Sequence, residues 1–271
     1  MSKMPTLFMP HGGGPCFFMD WDPPDHWDEM ANYLRGVPDD VGQTPRAIVV
    51  ISGHWEERAV TVQNNPAPDL LFDYYGFPDS TYQLEYPAPG APRVSERIVD
   101  LLAESGIESR QDSQRGFDHG VFIPLKVAFP EANIPVVQLS LRADLDPAGH
   151  IAIGRALEPL RDEGVLIAGS GLSYHNMNTM MRNMRGGGGA AVPGSKVFDD
   201  WLTAAVANPD PEARDRALIA WERAPAAREA HPREEHFLPL HVVAGAAGGD
   251  IGKKTYGGSV LGSIQSAYQF G

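Results

Sequence analysis

Cysteine is nearly missing from this chain of 271 residues, and the one present, Cys16, cannot close an internal bridge. A disulfide framework is thereby excluded, and a reducing cytoplasm is the expected location. Also missing is any run of 18 apolar residues that could span a bilayer, and the N-terminal stretch lacks a basic-then-apolar export signal. Positive charge is scarce: 22 Lys and Arg against 35 Asp and Glu leave a net charge of −13. That surplus argues against nucleic acid and anionic membrane surfaces as partners. Several local signatures are lacking as well. No Gly-Lys-Ser/Thr follows the glycine-rich turn at 11–14, which removes a phosphate cradle. There is no HExxH and no CxxC pair, so neither a zincin nor a structural zinc module is present. Gly169-Ser170-Gly171 is not the Gly-x-Ser-x-Gly elbow that a Ser/His/Asp hydrolase needs.

What remains is ordinary globular composition, 42% apolar and 21% charged, in a length that suits one large domain. Apolar runs at 6–9, 47–51, 134–141 and 165–168 read as strands. Helices are expected between them. One should run from His26 to Arg35, capped by Asp25 and stopped by Gly36. A second should start at Pro92 and stop at Gly106, and a third should cover 147–163. Two more are expected over 195–207 and 211–223, another after His236, and a last strand with a turn over 255–270. Residues 64–92 are too aromatic for a disordered linker and read as a long ordered loop, whereas 178–194 reads as a mobile excursion. Strands alternating with helices predict one α/β domain over 1–271, with a mostly parallel central sheet flanked by helices.

Nine histidines are present, and their placement carries the chemical argument. His11, His54 and His175 each fall just past the expected carboxyl end of a different strand, beside glycine or small polar residues. Open α/β sheets bind ligands there. Imidazole is the commonest ligand for zinc and serves non-haem iron, so a metal centre is the chemistry this placement fits. Glu234, Glu235 and His236 offer a further ligand at a helix start, and His119 sits in a similar Asp-His-Gly setting. The remaining histidines read otherwise: His26 and His231 as solvent-facing, His150 as structural, His241 as a satisfied core residue. Arg182 and Arg185, cations in an acidic protein a few residues after His175, read as partners for a substrate carboxylate.

A resemblance joins these pieces. His11 in a Gly-rich turn, Ser52-Gly-His54-Trp, Tyr86-Pro-Ala-Pro-Gly90, Gly116-Phe-Asp-His119-Gly, Val136-Val-Gln-Leu-Ser140, Gly169-Ser-Gly with His175-Asn, and Glu235-His236-x-Leu-Pro-Leu occur in this order. Together they resemble the class III extradiol ring-cleaving dioxygenases of the LigB-like superfamily, most closely the branch named for 4,5-DOPA dioxygenase. The resemblance spans residues 5 to about 245. It implies a single-domain α/β enzyme that holds Fe(II), with Zn(II) often found in its place in this branch. His11, His54 and His236 (or Glu235) would be metal ligands. His175 would complete the coordination or act as acid/base, and His119 would hydrogen-bond substrate or oxygen. A catechol and dioxygen would meet at the metal, and the ring would open beside the diol. Tyr86 and Phe122 would shape the substrate pocket; Phe122 stands where Trp is common, and Gly13-Gly14-Pro15 where Gly-Ser-Pro is usual. Two other readings use the same cluster, a zinc hydrolase that activates water and a non-catalytic metal-binding relative. The identity of the catechol and the presence of a homo-oligomer stay open.

Overall fold

The computed structural model describes residues 2–185 and 190–271. Its frame is one eight-stranded sheet in the order β4-β3-β5-β2-β6-β1-β8-β7. The strands are β1 (Thr6–Pro10), β2 (Ala47–Glu57), β3 (Val60–Gln63), β4 (Ser109–Asp112), β5 (Val136–Arg142), β6 (Val165–Gly171), β7 (Gly252–Val260) and β8 (Ser263–Phe270). The middle of the sheet, β5-β2-β6-β1, is wholly parallel, as expected. Antiparallel pairs adjoin it on both sides, β3 with β5 and the β7–β8 hairpin with β1, so the sheet is mixed.

Period-two alternation along the middle strands divides their side chains between two faces. Ala47, Val49 and Ile51 pack with Val137, Leu139, Val165 and Ile167 beneath helices α2 (Pro92–Glu104), α4 (Pro147–Leu157) and α9 (Leu238–Ala247). Ile48 and Val50 face the other way, with Leu166 and Ala168, against α1 (Asp28–Val41) and α3 (His119–Ala128). Both faces of β2 are covered, which is why Ala47 to Ile51 is an unbroken apolar run. Around β8, a third cluster joins Phe8, Tyr268 and Phe270 to α6 (Pro193–Val206) and to Trp221 and Phe237. No helix among the described residues is long and apolar enough to cross a membrane.

Several expectations need correction. The first helix is not stopped by Gly36. It starts at Asp28 behind Trp27, continues through Gly36 and Pro38, and ends at Gly42 in the left-handed region. Met30, Leu34, Val37 and Val41 form one buried stripe, each side chain contributing ~1.5–3 kcal/mol. That outweighs ~1 kcal/mol for an interior glycine and ~3 for an interior proline. The expected excursion at 178–194 contains a helix, α5 (Met177–Arg185), pinned by buried Met180; its four glycines, 186–189, lie outside the described residues. The helix expected over 147–163 is α4 followed by a tighter turn at 158–161, and the one over 211–223 is α7 (Pro211–Ile219) with another such turn. His26 is half-buried rather than solvated, stacked on Trp21 at 5.8 Å. His231 is wholly buried, its ring stacked on Phe237 at 4.8 Å.

Candidate active site

Five segments each bring one histidine to the carboxyl ends of the parallel strands, α3 among them. His11 follows β1 directly, where the chain turns through Gly12 at φ 82°. A Cβ at Gly12 would sit 2.2 Å from Cys16 Sγ, so the turn holds only if this residue is glycine. His54 is not past its strand, as expected, but inside β2, at the break in register with β5 between Ile51 and Glu56. That irregularity re-aims the side chain, a common use of a bulge beside a site. His119 is the first residue of α3, behind Asp118. His175 lies on the loop after β6, tied by its N–H to Ala230 O at 2.9 Å. His236 stands in the turn before α9, and His236 O accepts from Leu172 N at 3.1 Å. The turn approaches β6 so closely that a Cβ at Gly171 would lie 2.1 Å from His236 O.

The rings converge. Centroids of His11 lie 4.9 Å from His54, 5.4 Å from His119 and 5.2 Å from His236. His54 lies 3.9 Å from His119, and His175 is stacked on His236 at 3.5 Å. Nε2 of His236 and Nε2 of His54 face each other at 3.2 Å. One nitrogen each from His11, His54 and His236 fits within a 4.8 Å span. Both ring nitrogens of His11 are buried without a hydrogen-bond partner among the described residues. A buried polar atom left unpaired costs on the order of 1–3 kcal/mol.

Burial, then the neighbouring imidazoles, depress the protonation of this group. His11 and His236 are held well below the ordinary imidazole range, and His54 falls to about 3. All three rings are therefore neutral near pH 7, with lone pairs free for a metal. Spacing, neutrality and the orphaned nitrogens of His11 fit a group of three imidazoles that could hold one divalent ion. An all-imidazole set suits zinc, iron, copper and nickel alike, so the donors do not choose among them.

Carboxylates stand behind the rings. Glu235 Oε1 accepts from Nδ1 of His236 at 2.9 Å and lies 3.1 Å from Nδ1 of His175. Burial raises the Glu235 carboxyl, but His175 and Arg233 outweigh it and hold it below its usual range. Arg233 in turn grips Glu56 through two nitrogens, each at 2.5 Å. Asp73 Oδ1 sits 2.7 Å from His119 Nδ1. Asp118 is fully buried, takes a bond from Ser52 Oγ at 2.8 Å and from Gln138, and pairs with Arg115 at 3.1 Å. Asp73 escaped the sequence reading, and Ser52, Asp118 and Gln138 stood there only as members of motifs, without a role. The visible signal for Asp73 was a lone carboxylate within the aromatic run Leu71-Phe-Asp-Tyr-Tyr75.

The expected substrate residues are placed less centrally. Tyr86 is 2% exposed, its hydroxyl donating to Phe129 O at 3.3 Å, and Phe122 is wholly buried against Phe72. The ring nearest the histidines from that side is Tyr74, 5.8 Å from His119. Arg182 and Arg185 line a surface hollow of about 480 Å³ with Asn178 and Met181.

Residues 5–270 match the family described as the catalytic LigB subunit of aromatic ring-opening dioxygenase. The chain belongs to this family. Among its LigB relatives, 4,5-DOPA dioxygenase extradiol of Beta vulgaris is 39% identical over 98% of this chain and 96% of its own. A protein of that name from Escherichia coli K12 is 33% identical over 90% and 86%. Dioxygenase tasH of Hapsidospora irregularis is 36% identical over 100% and 86%. A crystal structure of an uncharacterized protein from Escherichia coli K12 superposes with a TM-score of 0.79 at 30% identity, covering 99% of this chain and 100% of that one. As a LigB-family member the chain is an enzyme of the extradiol dioxygenase kind, a family that works at a metal centre, and the histidine cluster is a group of donors that could hold one.

Proposed function

We propose that the chain opens the ring of a catecholic substrate outside the diol, using Fe(II) held by His11, His54 and His236. The observation that carries the reading is the set of three neutral imidazoles, two buried and one half-buried, with one nitrogen each within 4.8 Å of the others and both nitrogens of His11 unpaired among the described residues. When bound, the ion would hold the diol and dioxygen at adjoining positions and stabilise the negative charge of the deprotonated substrate.

The protein's part is to hold and move protons. His175 gives its Nδ1 to Glu235 at 3.1 Å, which leaves Nε2 as the nitrogen that can take a proton from a substrate hydroxyl and return it at ring opening. Glu235 serves two rings through one oxygen, fixing His236 as ligand and His175 as acid/base. This division favours His236 over Glu235 as the ligand, because Oε1 is already shared by two imidazoles. His119, across from His175, would hydrogen-bond the bound reactants. Tyr74 walls that side, with Tyr86 and Phe122 shaping the loop behind it, and Arg182 or Arg185 would attract a substrate carboxylate.

Loading with Fe(II) under anaerobic conditions, followed by oxygen uptake and absorbance scans over a panel of catechols, tests the reading. Stoichiometric oxygen consumption with a yellow ring-opened semialdehyde is expected. Ester or amide hydrolysis by the Zn(II)-loaded protein, without oxygen uptake in the Fe(II) form, would favour a hydrolase instead.

A further inference from the structure

The carboxylate of Asp73 has no part in the reading so far. It lies on the long aromatic loop between β3 and α2, 46 positions before His119 in the chain. That loop is fixed at both ends, by the bridges Leu70–Phe117 and Gly90–Val136. Asp73 Oδ1 meets His119 twice, at 2.7 Å from ring Nδ1 and at 3.0 Å from the backbone N–H. The other oxygen lies 3.8 Å from His54 Nδ1. His54, Asp73 and His119 could therefore be taken for a second metal-binding trio. The distances argue otherwise: Oδ1 is committed to two N–H donors on one residue, and 2.7 Å is a hydrogen bond rather than a spacing of co-ligands.

We infer that Asp73 is a positioning residue that fixes His119 in the Nδ1–H tautomer, so that Nε2 faces the reactants as a hydrogen-bond acceptor. The inference deepens the proposed ring-cleavage reading and rests on it for its kinetic consequence, though not for the tautomer itself. A neutral imidazole carries one N–H, and the partner of one nitrogen decides the role of the other. With Nδ1–H spent on Asp73, Nε2 has no partner among the described residues and is the only ring nitrogen left for the cavity. The acceptor lone pair would meet a substrate hydroxyl, opposite the Nε2 of His175. The same oxygen also holds the His119 backbone N–H, so the carboxylate is itself fixed against the first residue of α3 while it receives the ring. Asp73 thus couples the aromatic wall that carries Tyr74 to the orientation of a site histidine.

Two measurements test this separately. The first is nitrogen NMR of histidine-labelled protein in the metal-free and Zn(II)-loaded forms at pH 8, with the His119 signal assigned by its loss in His119→Gln. An Nδ1–H tautomer is expected in the wild type and in Asp73→Asn, whose amide oxygen still accepts, and a mixture of tautomers in Asp73→Ala. An Nε2–H or doubly protonated ring in the wild type would overturn the inference, whatever the enzyme does. The second compares kinetics of the Fe(II) forms at equal metal content by elemental analysis. Asp73→Ala should lower kcat roughly 10- to 100-fold, the usual cost of losing an outer partner, with KM within about threefold. Asp73→Asn should recover most of the loss. Metal content falling in step with activity would make Asp73 a ligand and overturn the inference, as would an Asn variant as impaired as the Ala variant. Failure of every form to cleave a catechol, with the tautomer as expected, would refute the ring-cleavage reading and leave the tautomer assignment intact.

Discussion

Two groups of histidines in this molecule are equally dry and opposite in use. His11, His119 and His236 are 2%, 6% and 5% exposed, while His150, His231 and His241 are wholly buried. Burial depresses the charged form of His11 and His236 as it does that of His150, His231 and His241; among the latter, His241 falls to about 4 and His231 to about 3. The difference is where the nitrogens go. His241 has Nε2 2.9 Å from Leu218 O and Nδ1 3.4 Å from Phe237 O, with a single N–H to donate to one of them, and His231 pairs Nε2 with Ser173 O at 3.0 Å. His150 takes Asp146 O at 2.7 Å and accepts Arg142 N at 3.1 Å. These rings are pegs between helix and loop, mostly satisfied by backbone, with only Nδ1 of His231 left over. The strand-end rings meet one another, carboxylates, or nothing. Partnership of the nitrogens, not burial or ionisation, separates a structural histidine from a candidate ligand here.

Substituting one member of each group should break the symmetry most sharply. His11→Ala or His54→Ala is expected to abolish metal uptake and turnover while the melting temperature of the metal-free protein changes little. Elemental analysis paired with thermal unfolding reads both, and a fully loaded variant would remove that residue from the ligand set. His241→Ala should do the reverse, losing ~2–4 kcal/mol through a cavity and one carbonyl left unpaired while the folded fraction still takes up metal. Next in size is His175→Gln, which should retain at least part of the metal and lose roughly two to four orders of magnitude in kcat. Near wild-type turnover would exclude His175 from proton transfer, and complete metal loss would make it a ligand.

Acid should sharpen the comparison further. An unfolded histidine protonates near 6.5, whereas folded His231 and His241 resist until about 3 and about 4. Below pH 6.5 the unfolded chain therefore binds protons that the folded one refuses. Stability from these groups is complete above 6.5 and is lost as pH falls toward 4, by at most ~1.4 kcal/mol per pH unit for each ring. Urea midpoints at pH 7 and pH 5 should show the loss, and His241→Leu should flatten the slope; an unchanged slope would mean the ring is already solvated. The smallest effect is expected at the site's margin. Arg182→Ala or Arg185→Ala should lower kcat/KM about tenfold for a carboxylated catechol and leave its neutral analogue unchanged. Equal effects on both substrates would reduce α5 to a plain surface helix.

Much of this was legible in the sequence wherever the determinant is local. The apolar runs that became β1, β2, β5 and β6 are continuous because both faces are covered, and Pro92 announced α2 at its first position. His11, His54 and His236 could be proposed together because each sits in its own Gly-flanked or helix-start setting. The rest depended on distant partners. β4 reads Ser-Arg-Gln-Asp and earns its place only by pairing in parallel with β3. Gly36 looked like a stop because the buried stripe beyond it was judged without the sheet it covers. His231 looked exposed in a polar string because Trp221, Phe198 and Phe237, which enclose it, come from elsewhere. Asp73 carries no pattern at all, since what defines it is a ring 46 positions away.

The position of β1 has a consequence for how the molecule comes into being. Its two neighbours in the sheet are β6 on one side and β8 on the other, with Thr6 opposite Phe270. During synthesis, the strand that delivers His11 leaves the ribosome well before β6 and longer still before β8, its two neighbours. At ~5–20 residues per second that wait is roughly 10–50 seconds. For that interval Leu7, Phe8 and Met9 are an unpaired apolar edge, open to chaperones and to other chains. The later-made β8 is the strand that covers this edge, so completion of the hairpin closes the sheet at β1.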